Sequence, residues 1–375
     1  AADLLYVRGD SIKGFFERKN SGEADSALIF DGAGGVVWHR MVLDNRYYLT
    51  WWVNNDDSWS DEIQRAIDLI HDRSDSFGSS VLVIPDGVYR LEPVGADPYD
   101  NTGDGEKLYC IELKSNVQIE MHPHAVLMLA DSTVTYTADS TTRVNIIIGD
   151  SIQHVRITGG TIDGNAIGQY QQHSPGWTGC GYYGQGHGNT FNITISGGVN
   201  GSDHWNRHIQ IQDVVFKNHS GNPINAHGLD SCTFRRLRYE GFGEGLQLQF
   251  SKNCLMEHIT GLFNATPCGD GYELSHCYDT ETRFIDISGT GAGTAIDLFG
   301  VQNCLVESFR LHNFTGGGID INTPNTGFTT SDVIIRNGII ENCNSHGVGT
   351  KGDTIGPVLI QNVTSNFNQR GFYFN

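Results

Sequence analysis

Proline is scarce in this chain, with 9 in 375 residues, and no apolar run approaches the ~18 residues that a membrane-crossing helix needs. Neither a proline-rich rod nor membrane insertion is expected. Basic residues are also few. Twenty-four Lys and Arg stand against 43 Asp and Glu, for a formal net charge of −19. Such a surface repels nucleic acid and anionic lipid, so neither is expected as a partner. No Walker-type lysine loop, no dinucleotide glycine fingerprint between a strand and a helix, and no His-Glu-x-x-His occurs. The first residues, Ala-Ala-Asp-Leu-Leu-Tyr, carry no basic segment followed by an apolar one, so no secretory signal is visible. That observation decides little about location.

Glycine is abundant, at 47 residues, and Asn, Ser and Thr accompany it. This is turn chemistry used many times over. A hydrophobic content of 38% suffices for a long, narrow core. Residues 1–57 differ from the rest. They hold Phe15-Phe16, the glycine-rich turn Asp31-Gly32-Ala33-Gly34-Gly35 and the aromatic stretch Tyr47 to Trp52. A small β-rich arm or cap is expected there, its aromatics packed as core or exposed as a sugar platform. A helix follows near 60–73. Ser58 stands three residues before Asp61, and Ile63, Ala66, Ile67 and Ile70 make one apolar face. It is expected to cover the open end of a sheet. Val81 to Tyr89 then runs strand, turn, strand around Pro85-Asp86-Gly87.

From there to residue 375 the chain repeats in units of roughly 22 to 29 residues. Four units open on strict alternation, with Leu246, Tyr272, Ile296 and Ile319 on one side of their strands. Asn253-Cys254-Leu255 and Asn303-Cys304-Leu305 occupy one repeat position, and Ser231-Cys232-Thr233 fills it a unit earlier. Like residues at a fixed repeat position stack along a solenoid axis. The eight cysteines therefore point to stacked buried thiols, with disulfides as the alternative. Period-2 segments exclude a helical solenoid, and the constant period argues against a sandwich. The fold class expected is all-β, a parallel β-helix.

Leu113 to Ile119 and Gly159-Gly160-Thr161-Ile162-Asp163-Gly164-Asn165 resemble early coils of the pectin-lyase-like right-handed parallel β-helix superfamily. The order of arm, helix and Ile84-Pro85-Asp86-Gly87 is similar to that of phage tailspike depolymerases. The resemblance implies an extracellular location, secreted or virion-associated, a polysaccharide substrate and a homotrimer. The Asn-Thr-Asp and Asp-Asp motifs of polygalacturonases and the Asp-Pro-His of alginate epimerases are absent from the corresponding coils.

Aligning the four units puts Gln247, Glu273, Asp297 and Asp320 at one outward position, with Glu244 and Asp270 matched three residues earlier. Neighbouring coils lie about 4.8 Å apart, so this column stacks like charges. Such crowding holds one carboxyl protonated beside an ionised one, the division of labour glycoside cleavage requires. Glu273, Asp297 and Asp320 are the expected acid and partner, with Asp270 and Glu244 in support. A solvated acidic face and a Ca²⁺ site of oxygen ligands are the alternatives. Gln247, Gln249 and His227 lie by alignment along the same groove, with His276 nearby. Two insertions, 165–188 and 197–208, bring Trp177, Tyr182, Tyr183 and Trp205, whose rings suit sugar stacking.

The expected activity is endo-acting glycoside hydrolysis without a required cofactor. One rival is a lyase or epimerase acting on a uronate polymer with Ca²⁺. The column itself holds no Lys or Arg base, although Lys351 follows one coil later. The other rival is a non-catalytic glycan adhesin or fibre.

Overall fold

The computed structural model describes residues 4–8, 14–19, 28–32, 36–42, 44–52, 58–73, 80–98, 107–134, 142–170, 190–197, 205–241, 243–263, 269–289, 293–323, 328–352 and 355–374. From residue 233 onward each repeat unit supplies a short strand and a long one, the long one being split in two in the earlier coils. The short strands include Leu246–Gln249, Tyr272–Ser275, Ile296–Phe299 and Ile319–Asn322, and they pair in parallel in an 11-stranded sheet. The long strands, such as Leu255–Phe263 and Glu281–Gly289, pair in parallel in a second sheet. A strand that returns one coil later beside its own kind makes a parallel β-helix, and the right-handed crossover follows from the twist of L-residue strands.

The long strands bend because each carries one left-handed residue at the same register position. These are Arg236, His258, Phe284, Ser308, Asn337 and Asn362, with φ between 49° and 59°. Each coil thus has three faces. A second left-handed row, Asn253, Asp279, Asn303 and Asp332, turns the chain from the short strand into the long one. Asn and Asp tolerate that conformation best, which explains the Asn before Cys254 and Cys304.

The alternation expected from the sequence sets the core. Leu246, Tyr272, Ile296 and Ile319 are all buried, within one apolar cluster that runs from Leu28 and Tyr47 to Val348. Cys110, Cys232, Cys254, Cys277, Cys304 and Cys343 are buried free thiols, as the stacking reading requires. Cys180 and Cys268 lie outside the described residues.

Near the amino terminus, Leu4–Val7, Gly14–Lys19, Val36–Arg40 and Ile29–Gly32 form a four-stranded antiparallel sheet. Phe16 and Trp52 are buried, and the Arg40 guanidinium lies 4.5 Å from the Trp51 ring centre and 5.0 Å from that of Phe16. These arm aromatics pack as core. Leu4, Leu5, Tyr6 and Phe15 remain exposed. The strand Arg46–Tyr48 pairs in parallel with Ser80–Ile84 and joins the long sheet.

Helix α1 spans Ser60–Arg73. Ser58 Oγ accepts from the Ser60 backbone N–H at 3.3 Å, and Asp61 and Glu62 sit in the first turn, where the helix dipole favours them. Ile63, Ala66, Ile67 and Ile70 are fully buried, and α1 contacts the strands Ser80–Ile84, Lys107–Glu112 and Val117–Met121. Truncating one of these residues leaves a cavity. Ile67→Ala is expected to lower unfolding free energy by about 2–5 kcal/mol, checked by urea denaturation. A change below about 1 kcal/mol would show that α1 adds little to the core.

Candidate functional site

The strand register sets the acidic residues in one row. Gln247 pairs with Glu273, Glu273 with Asp297, Asp297 with Asp320, and Asp320 with Gly349. Their chain neighbours Leu246, Leu248, Leu274, Ile296 and Leu298 are buried, so period-2 alternation turns this row to the outer face. Glu244 and Asp270 stand in the preceding turns, where the Gly245 N–H donates to the Asp270 carbonyl at 2.8 Å. Gly245 has no room for a side chain, since a Cβ there would lie 1.7 Å from the Gly271 carbonyl oxygen. That close approach draws the turns together and brings Glu244 and Asp270 within electrostatic reach of Glu273.

A row of the long sheet avoids such stacking. On the long sheet the outward row reads Arg235, Glu257, Arg283, Glu307, Arg336, alternating in sign from coil to coil. Arg235–Glu257 and Arg336–Glu307 approach to 2.9 and 2.7 Å. The same spacing that pairs opposite charges there presses like charges together in the acidic row.

In four of the five acids the surroundings raise the carboxyl pKa. Burial, then Glu273, raises the Glu244 carboxyl to about 8, against a 3.3 Å hydrogen bond from Asn222 Nδ2. Burial raises Asp270, although the Thr294 N–H donates to it at 2.8 Å. Burial, opposed by a 2.6 Å hydrogen bond from Gln247 Nε2, leaves Glu273 at about 7. Burial and then Asp270, Glu273 and Asp320 raise Asp297 to about 8, although Asn322 Nδ2 donates to Asp297 Oδ1 at 2.6 Å.

Asp320 goes the other way. Burial, at 3% exposure, pushes its carboxyl up, but His346 Nε2 on Oδ1 and Lys351 Nζ on Oδ2 at 2.5 Å outweigh it and hold Asp320 below the usual range. Thr294 Oγ1 donates to the same Oδ2 at 3.0 Å. The contrast has a simple source. Asn322 and Lys351 are register partners, and each reaches diagonally to the acid of the coil before it. The amide leaves Asp297 protonated, whereas His346 and the ammonium together keep Asp320 charged.

His346 was not singled out from sequence. Its ring occupies a slot between Gly317 and Gly349, where a Cβ on either glycine would come within 2.5 Å of Nε2. The row therefore ends at a glycine because the histidine fills that space. A glycine at the register position of four polar residues was the available signal. Lys351, noted from sequence only as a coil later, lies in the site.

These shifts have a sign in stability. Glu244, Glu273 and Asp297 have folded pKa values above their unfolded ones, near 4. The folded state then binds more protons, so stability is full below about pH 4 and is lost as pH rises to about 8. Asp297→Asn is expected to flatten part of that fall, read by thermal melts from pH 4 to 9. An unchanged slope would remove Asp297 from it.

A second outward row runs His227, Gln249, Ser275, Phe299, Asn322, Lys351. Gln249 and His227 thus lie in one row, beside Gln247 in the acidic row. Burial and then Lys107 lower the His227 imidazole to about 4, so it is neutral at pH 7. His276 packs against Phe250 and Phe328 and hydrogen-bonds Ser275 Oγ through Nδ1 at 2.9 Å, which favours a structural role. Trp205 carries Lys252 Nζ 4.4 Å from its ring centre. Trp177, Tyr182 and Tyr183 lie outside the described residues.

No family model and no curated protein matches the sequence. Solved structures do match. Tailspike protein 2 of bacteriophage CBA120 is similar at a TM-score of 0.63 and 14% identity, over 96% of this chain and 51% of that one. The tailspike of E. coli bacteriophage HK620, solved in complex with a hexasaccharide, gives 0.61 and 13%, over 92% and 61%. An exopolygalacturonase from Thermotoga maritima gives 0.60 and 14%, over 87% and 82%. The chain therefore spans about half to three-fifths of the two tailspike chains. At these identities the likeness concerns architecture: this chain has the right-handed parallel β-helix fold that these structures share.

Proposed function

We propose that the protein is an extracellular polysaccharide-cleaving enzyme, an endo-acting glycoside hydrolase whose acid is Asp297 and whose ionised partner is Asp320. One observation carries the reading: adjacent carboxyls in a single row are driven to opposite protonation states, Asp297 to about 8 and Asp320 below the normal range. A protonated carboxyl can donate to the leaving glycosidic oxygen, and an ionised one beside it can act as nucleophile or activate water. Backbone spacing of about 4.8 Å per coil sets Asp297 and Asp320 near the short, retaining separation. Glu273, two coils from Asp320, corresponds to the longer, inverting one.

Elimination by Lys351 fits less well. Burial works against its charge, but Asp320, with Asp297 and Asp270 beyond it, raises its pKa, and a lysine held charged cannot take a proton. The sugar-binding and polysaccharide-acting neighbours support the substrate class.

Screening bacterial and plant polysaccharides for new reducing ends tests the reading. Release of oligosaccharides without a new unsaturated-uronide absorbance is the expected result. Unsaturated products would replace hydrolase by lyase, loss of activity with chelator would bring in Ca²⁺, and binding without cleavage would mark an adhesin.

We also propose a homotrimer, in which exposed Leu4, Leu5, Tyr6 and Phe15 meet a neighbouring copy. Light scattering should give three times the chain mass, and a monomer at micromolar concentration would refute it.

A further inference from the structure

Beyond the acidic row, at one edge of the short sheet, four rings gather. Phe250 stacks on His276 at 4.6 Å between ring centres and 12° between planes. Phe328 meets His276 edge-on at 4.3 Å, and Phe299 does so at 5.5 Å. His276 is nearly buried, while Phe250, Phe299 and Phe328 each keep part of their surface in solvent. Phe299 belongs to the second outward row. It lies two residues beyond Asp297 on the same outward face, about 6.6 Å along the strand.

The segment bearing Phe328 is fixed in place. Thr330 is buried, its Oγ1 donates to the Asn322 carbonyl at 2.5 Å and accepts from the Gly300 N–H at 3.0 Å, and Gln302 Nε2 donates to Thr329 Oγ1 at 3.1 Å. A ring held this firmly is paid for in advance and loses little freedom when a ligand arrives.

We propose that Phe299 and Phe328 form a stacking subsite for a neutral pyranose ring of the polysaccharide, next to the linkage that the acidic row cleaves. The position relative to cleavage rests on the proposed function; the binding does not. A flat, weakly apolar ring face suits the C–H face of a pyranose. Hydroxyls of that sugar can donate to the carboxyl oxygens of the row. A uronate is disfavoured, because the row is acidic, the chain carries −19, and Lys351 is engaged by Asp320.

Saturation-transfer NMR on Asp297→Asn, chosen because it is expected to slow turnover, provides the test, with cellohexaose, maltohexaose, N-acetylchitohexaose and hexagalacturonate as probes. At least one neutral probe should bind, with saturation concentrated on its ring C–H protons. Adding Phe299→Ala or Phe328→Ala should weaken it up to about tenfold per ring, while Phe299→Tyr retains binding. Melting curves establish that the alanine variants are folded, and Phe328→Ala, away from the sheet itself, keeps the test open if Phe299→Ala is not. No binding by any neutral probe, tighter binding of hexagalacturonate, or unchanged affinity in both folded alanine variants would overturn the proposal. The two readings separate cleanly. Ring-dependent binding without cleavage of any polysaccharide sinks the hydrolase and leaves the subsite. Cleavage with a KM untouched by both alanine variants sinks the subsite and leaves the hydrolase.

Discussion

Asp297→Asn and Asp320→Asn are each expected to lower kcat on a cleavable polysaccharide at least about 10²-fold, with Asp320 giving the larger loss. The amide keeps the shape of each side chain and removes its proton or charge. The two variants should part company in stability. Asp297 is held neutral up to about 8 by burial and by its acidic neighbours, whereas the unfolded carboxyl ionises at about 4, so its amide should raise stability at pH 7 as well as above it. Asp320 is stabilised as an anion by His346, Lys351 and Thr294. Its folded pKa is depressed, so its contribution is present above the unfolded value and is lost as pH falls through the folded one. Asp320→Asn strands buried donors and should cost about 1–3 kcal/mol at pH 7. Kinetics on the confirmed substrate, with urea curves on the same samples, read both effects. Full activity in both variants would move the chemistry away from the row.

The second large effect concerns the diagonal partner. Lys351→Asn places an amide where Asn322 already serves Asp297, so Asp320 should come to resemble Asp297 and hold its proton. Activity at pH 6 is expected to fall about 10- to 10²-fold, and the acidic limb of the pH profile should move upward by at least one unit. The alkaline limb, set by Asp297 near 8, should stay. Partial recovery at higher pH separates this electrostatic role from simple disruption, since a misfolded site would not regain activity as pH rises. An acidic limb that does not move would show that His346 alone keeps Asp320 ionised.

Much of this was legible in the chain. The period-2 segments placed Leu246, Tyr272, Ile296 and Ile319 in the core, because alternation admits only one buried face. The recurring Asn-Cys steps marked a corner, because Asn accepts a left-handed backbone and the thiol behind it stacks inward. The same spacing put Glu273, Asp297 and Asp320 in register, and the coordinates keep that register residue for residue. A repeat fold converts sequence offset directly into position along an axis, so alignment alone gives the column.

What lies across the axis was not legible. His346 falls three residues before the row position of its own coil, the place that Glu244 and Asp270 hold in theirs, and enters the site because Gly317 and Gly349 leave it a slot. Lys351 reaches Asp320 diagonally, and Phe328 arrives at His276 from a segment that has no counterpart in the neighbouring coils. Sequence by itself determined the solenoid, its core and the stacked acids, because all three follow from periodicity. Only the tertiary structure decided which acid is charged, since that depends on which donors reach each carboxyl through a few ångströms of buried space, where small differences in distance and desolvation outweigh the shared repeat.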